Sequence, residues 1–181
     1  MKVLDAKKYC VVLGILWVAV AVITVLTPII AQMNAGVPMM EAFFQLLWSV
    51  WATAILCIAV AVSYFLVFAS VPKLLYIRVG AFALLAIVQV AGIRVFDLRL
   101  VMPSILAAIG YALYAVFHLE MMKLPRWTAF VPAVVLAASV VSIMFAPYGF
   151  IMSSFALGVV RAVIYAAYSV LLFLPSLMNK D

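Results

Sequence analysis

The stretch IMSSFALGVVRAVIYAAYSVLLFL, residues Ile151–Leu174, decides the fold. It is an apolar run as long as a bilayer-crossing helix requires, about 20 residues, and Arg161 lies near its middle. A guanidinium at the centre of a membrane helix costs about 2.5–3.5 kcal/mol on insertion scales, so the rest of the chain has to shelter it. Small residues, which favour the close approach of another helix, recur at every fourth position: Ser154, Gly158, Ala162 and Ala166.

The composition assigns the whole chain to the membrane proteins. Its 181 residues are 72% hydrophobic and 9% charged, whereas a soluble domain is about half apolar and about a quarter charged. Only α-helices and closed barrels cross a bilayer. Barrel strands alternate polar and apolar residues over about 10 positions, but these runs are apolar on all sides. We therefore predict an all-α, polytopic integral membrane protein.

Six apolar runs predict a single bundle of six transmembrane helices. The predicted spans are 10–31, 42–70, 74–95, 101–119, 127–146 and 151–174. Pro28 is expected to mark the end of the first span. Gln32–Glu41, which contains Gly36 and Pro38, is expected to form a loop.

The basic residues predict the orientation of this bundle. Two of them, Arg94 and Arg99, lie on the side opposite the N-terminus, and eight lie on the N-terminal side: Lys2, Lys7, Lys8, Lys73, Arg78, Lys123, Arg126 and Lys180. Basic residues concentrate on the cytoplasmic side, so both termini are predicted to be cytoplasmic in a multi-pass protein of the cell membrane. Because these charges are dispersed at helix ends, the lipid bilayer is the expected partner and nucleic acid is not.

The sequence contains no catalytic constellation. His118 is the only histidine, and the five carboxylates fall at predicted surfaces. There is no phosphate-binding loop, no paired-cysteine metal motif and no nucleophile beside a base. Cys10 and Cys57 differ in predicted depth by about 20 Å, so both are expected to be free thiols. We predict that this chain alone is not an enzyme and binds no metal or cofactor.

Two stripes of polar side chains are the candidate ligand-binding residues. They are Arg161, Tyr165 and Tyr168 on the sixth span, and Tyr111, Tyr114 and His118 on the fourth. Helical spacing puts each set on one side of its helix, and Tyr111 falls at about the depth of Arg161. The stripes fit either a polar cleft open to the cytoplasm or an interhelical hydrogen-bond seam with an interfacial histidine. In both cases Arg161 is predicted to face the interior, near Tyr111.

A second polar group lies in the other half of the predicted bundle. Its members come from three different spans: Gln45, Ser49, Thr53, Gln89, Ser139 and Ser142. These side chains fit a small solute pocket. They fit equally well as ties between helices, which contribute about 0.6 kcal/mol each on average.

Two functions of different classes follow. The first is a non-catalytic membrane subunit that packs with partner subunits, or with its own copies, in a respiratory or transport complex. The second is a small solute-binding or transporting bundle in which Arg161 recognises an anionic group or a quinone. The sparse polarity of the spans favours the first.

Overall fold

A computed structural model describes residues 3–44, 46–66, 74–93, 98–119, 124–142 and 152–173. This part of the chain is almost wholly helical and contains no strand, in agreement with the all-α prediction. The helices are α1 (Val3–Asn34), α2 (Met39–Phe44), α3 (Trp48–Phe65), α4 (Leu74–Ala91), α5 (Leu98–Leu119), α6 (Phe130–Ser142) and α7 (Met152–Phe173). A 3₁₀ turn, Arg126–Ala129, leads into α6.

Within the described ranges, five helices are long and apolar enough to cross a membrane, as expected for a multi-pass membrane protein: α1, α3, α4, α5 and α7. The fifth predicted span, 127–146, is represented by the 3₁₀ turn and by α6, an apolar helix of 13 residues. Residues 143–146 of that span lie outside the described ranges. Five of the six predicted spans are thus supported by length and composition.

The first helix is longer than predicted. It runs through Pro28 and ends at Asn34, so the interpretation of Pro28 as the end of the span was wrong. A proline inside a membrane helix is tolerated because its surroundings compensate for the lost backbone bond. The chain reverses instead at Gly36, whose φ of 86° suits glycine.

The second predicted span, 42–70, is interrupted. Its first residues belong to the separate helix α2, and α3 begins only at Trp48. Leu47 has φ −62° and ψ 145°, an extended conformation that ends any continuous helix at this point. The third span, predicted to reach residue 95, ends as a helix at Ala91.

The six helices other than α2 form a ring. Each packs against its successor in the chain, and α7 packs back against α1. The Tyr9 hydroxyl, near the start of α1, donates to the carbonyl of Leu171, near the end of α7, so these two helices are antiparallel. We term the end of the ring that contains Tyr9 and Leu171 the N-terminal end, and the other the cavity end.

Glycines allow two close helix contacts in this ring. A Cβ at Gly110 of α5 would lie 2.6 Å from Leu136 Cγ, and one at Gly158 of α7 would lie 2.9 Å from Val140 Cγ1. Both neighbours belong to α6. Ala166 is exposed, so the predicted row of small residues packs against a neighbour at Gly158 but not along its whole length.

The centre of the ring is aromatic. Trp17 of α1 is 1% exposed, and its ring contacts those of four other core residues: Phe82, Tyr114, Tyr165 and Tyr168. Trp48 and Trp127, in contrast, are exposed. This aromatic layer separates the N-terminal end of the ring from the cavity end.

Candidate functional site: a polar cavity inside the helix ring

A cavity of about 490 Å³ lies inside the cavity end of the ring. All six ring helices line it, through residues that include Thr24, Ser49, Gln89, Ser104, Ser139 and Arg161. Its wall on α5 extends from Pro103 to Tyr111, a distance of about 12 Å at 1.5 Å per residue. Cavities of about 300–1,000 Å³ hold small organic ligands.

Hydroxyl groups on the cavity wall use their protons within their own helices. Thr53 donates to the Ser49 carbonyl at 2.7 Å, and Ser139 donates to the Leu136 carbonyl at 2.6 Å. The Gln89 Nε2 group donates to Thr53 Oγ1 at 3.1 Å across the α3–α4 contact. The wall therefore contains both features predicted from sequence, helix-to-helix ties and a pocket lining. Gln45 lies outside the described residues.

Arg161 borders this cavity from the middle of α7. Its Nε atom is buried and has no hydrogen-bond partner among the described residues. The guanidinium lies near the side chains of Tyr165, Tyr111 and Cys57. As predicted, the arginine faces the protein interior near Tyr111, but no hydrogen bond joins the two side chains in the described structure.

A pair of tyrosines forms the cavity wall beside the arginine. The Tyr111 and Tyr165 hydroxyl oxygens are 2.7 Å apart. One O–H of the pair donates to the other oxygen, so the second O–H remains to be donated elsewhere. Neither hydroxyl has another hydrogen-bond partner in the described part of the chain. The second proton is therefore available to a group inside the cavity.

The remaining candidate residues lie in the aromatic core and not on the cavity wall. Tyr114 donates to Ser169 Oγ at 2.9 Å, and Ser169 in turn donates to the Ala129 carbonyl at 2.6 Å. Nearer the N-terminal end, His118 Nε2 lies 2.8 Å from the Tyr168 hydroxyl oxygen. These contacts form the interhelical seam that was the alternative interpretation of the stripes.

The Tyr168 hydroxyl also meets that of Tyr64, at 2.6 Å. His118 is 1% exposed, so it is a core residue and not an interfacial one. The hydroxyls of Tyr114 and Tyr168 and the Nε2 atom of His118 all have partners within the protein. A role of these three residues in ligand binding stays a prediction.

Two interior polar residues were missed from the sequence, one on the cavity wall and one in the aromatic core. Gln32 was assigned to a loop, but it lies in the last turn of α1, lines the cavity and has a buried, unpartnered Oε1. Its spacing from Thr24 and Pro28, at i, i+4 and i+8, was the available signal. Arg78 was counted as a loop charge, but its guanidinium lies 4.1 Å from the Tyr64 ring centroid, a cation–π distance.

No group of three or more metal-ligating side chains converges within the described ranges. Cys10 and Cys57 are free. In comparisons with protein-family models, curated proteins and solved structures, nothing matches this chain.

Proposed function

We propose that this protein is a six-span membrane protein that binds a small anionic solute in its central cavity, with Arg161 as the anion-binding residue. One observation carries the proposal: a guanidinium whose buried Nε has no partner among the described residues borders a cavity of about 490 Å³. Breaking up a buried ion pair destabilises a protein because it leaves an uncompensated charge. An anion in the cavity removes that imbalance.

The polar lining supports a solute site over a purely structural arginine. A structural arginine would be expected to bond to tyrosine hydroxyls, to helix carbonyls or to water in a polar pocket. Here the hydroxyls of Tyr111 and Tyr165 bond to each other instead. The guanidinium and the spare phenolic O–H are both donors, and they border the same space. Converging donors without a protein acceptor are typical of an anion site.

The direction of α7 supports six crossings. Helices α1 and α7 are antiparallel, and reaching that arrangement through consecutive spans requires an even number of crossings. The ring places α6 between α5 and α7, as a crossing helix would be. With the basic residues on the cytoplasmic side of the cell membrane, the cavity would then open toward the outside.

Thermal unfolding of the purified protein tests the proposed function. The probes are inorganic phosphate, sulfate, acetate, benzoate, citrate and octanoate, each as its sodium salt. We expect at least one anion to stabilise the wild type, by about 2.7 kcal/mol at 100 Kd. Arg161→Gln should abolish this stabilisation. Arg78→Gln removes a charge of the same kind outside the cavity and should retain it.

Equal responses of all three proteins to every anion would contradict the proposal. If Arg161→Gln does not fold, Arg161→Lys serves instead: it keeps the charge but lacks the planar fork, so it should weaken the effect of the binding anion.

The role as a non-catalytic subunit of a larger complex stays a prediction, and so does the lack of enzymatic activity. The test of the subunit role is copurification in a mild detergent. A partner chain at fixed stoichiometry would support the subunit role, and a self-contained protein would not.

A further inference from the structure

The residues that line the cavity restrict the class of the solute further than to a negatively charged molecule. The features of the cavity are a single charged group at one end, apolar side chains among the polar ones on the walls, and, at the other end, an amide oxygen without a partner in the described structure. Each of these restricts the chemistry of the molecule that fits. The inference drawn from them rests on the proposed function, because it assumes that Arg161 holds an anion.

The charge balance sets the ionic state of the solute. Among the described residues that line the cavity, Arg161 is the one charged side chain. A monoanion neutralises it. A dianion would leave a net buried charge, which a low-dielectric interior disfavours. Since that lining holds no carboxylate, an ammonium group on the solute would also lack a counterion.

The geometry of the donors favours a carboxylate. A guanidinium presents two parallel N–H groups that match the two oxygens of a carboxylate. The Tyr111–Tyr165 pair adds one spare O–H on the same wall. A carboxylate has about four lone-pair sites and accepts from both groups at once.

The side chains along the walls and at the far end of the cavity restrict the rest of the solute. Val50, Val88 and Leu136 provide apolar surface along the cavity. Gln32 lies two helical turns beyond Thr24 toward the cavity end, and its Oε1 atom is a buried acceptor without a donor. A hydroxyl or amide N–H on the solute would satisfy it.

We infer that the solute is an elongated organic monocarboxylate, with its carboxylate on Arg161 and an uncharged hydrogen-bond donor directed toward Gln32. Its length is set by the cavity, about 12 Å along α5. The molecule enters with the carboxylate first, because Arg161 lies at the deep end beside the aromatic core and Gln32 lies near the helix end.

Calorimetric titration of the full chain in lipid nanodiscs tests this inference, with empty nanodiscs as the blank. The probe is ω-hydroxyoctanoate, whose extended length is close to that of the cavity. Octanediol, suberate and octanoate are its neutral, dianionic and non-hydroxylated counterparts. We expect ω-hydroxyoctanoate to bind about tenfold or more tightly than each of the three.

Three variants assign this preference to residues. Arg161→Gln should remove the advantage of ω-hydroxyoctanoate over octanediol, and Arg78→Gln should keep it. Gln32→Leu should make ω-hydroxyoctanoate and octanoate bind equally. If Arg161→Gln does not fold, the double variant Tyr111→Phe, Tyr165→Phe replaces it and should weaken binding about tenfold. Tyr114→Phe, outside the cavity, should have no effect.

The failure of this inference differs from the failure of the proposed function. If suberate or inorganic phosphate binds more tightly than ω-hydroxyoctanoate and this binding depends on Arg161, the monocarboxylate inference is wrong and anion binding stands. If no anion binds in an Arg161-dependent manner, both are wrong. If Gln32→Leu leaves the affinity for ω-hydroxyoctanoate unchanged, the proposed orientation is wrong.

Discussion

At the scale of single residues, the polar side chains of this bundle fall into two sets with different partners. In the aromatic core, tyrosine hydroxyls and His118 Nε2 bond to one another across helices, while Trp17 Nε1 and His118 Nδ1 have no partner in the described structure. On the cavity wall, Arg161, Gln32 and one tyrosine proton lack partners in the described structure. Buried polar groups are nearly always bonded in native proteins, and the second set borders a cavity with room for a ligand, so this set is where a ligand is expected.

The core set predicts a stability difference between two tyrosines. Tyr168→Phe removes the hydroxyl that bridges His118 and Tyr64. It leaves His118 with no partner at either ring nitrogen, because Nδ1 already has none in the described structure. We expect a loss of about 1–3 kcal/mol in the free energy of unfolding. Titration with sodium dodecyl sulfate in mixed micelles measures it.

The control for this variant is Tyr76→Phe, since Tyr76 is 69% exposed. The free energy of unfolding of Tyr76→Phe should equal that of the wild type. Equal stability of Tyr168→Phe and Tyr76→Phe would show that the core hydrogen bonds contribute nothing measurable.

At the scale of helices, α6 packs closely against both of its neighbours, α5 and α7. Gly110 of α5 and Gly158 of α7 both face α6, and neither has room for a Cβ without movement of Leu136 or Val140. Without a hydrophobic force between helices in lipid, such close packing is a main source of association. The short helix α6 thereby keeps its place in the ring.

A valine at the α5–α6 contact should weaken it. Gly110→Val forces Leu136 to move and should destabilise the protein by about 1–3 kcal/mol through overpacking. Gly80→Val is the matched control, because a Cβ at Gly80 meets nothing within 4 Å. Thermal unfolding of both variants provides the comparison. If Gly80→Val is the more damaging of the two, the close α5–α6 contact is not what holds α6.

Some features of the helices could be predicted from the sequence and others could not. Long apolar runs and the interior position of Arg161 follow from the cost of polar groups in lipid, which is a local property of the chain. The break before Trp48 does not, because residues 42–47 contain no glycine or proline. Pro28 was misleading because a membrane helix tolerates a proline when its surroundings compensate for the lost backbone bond, and α1 continues through it.

The site was predictable in part. Ser49, Thr53, Gln89 and Ser139 were grouped by depth, and depth along a span can be counted from sequence. The pairing of Tyr111 with Tyr165 was not accessible, because it depends on the rotation of α5 and α7 about their axes. Which polar faces meet depends on this rotation and on the order of the helices around the ring.

At the scale of the whole molecule, the two ends of the ring differ. The cavity end contains the space beside Arg161, and the aromatic layer around Trp17 closes it toward the N-terminal end. The central claim is that an anion entering from the cavity end reaches the charge of Arg161. Such a one-sided site requires that water-soluble anions reach the cavity wall from one face of the membrane.

The most direct test is charge-selective labelling of a cavity cysteine, Ser104→Cys, in a background with Cys10→Ala and Cys57→Ala. Ser104 lines the cavity, and Met102→Cys is the control, since Met102 is exposed on the same helix and does not border the cavity. The reagents are the anionic sulfonatoethyl and the cationic trimethylammonioethyl methanethiosulfonates, applied to each face of sealed vesicles. Each rate is divided by that at Ala35→Cys, an exposed position near the end of α1.

We predict that Ser104→Cys reacts from the outer face with a preference for the anionic reagent, and that adding Arg161→Gln removes this preference. A charge preference at Ser104→Cys that Arg161→Gln leaves unchanged, or no reaction from either face, would contradict the claim.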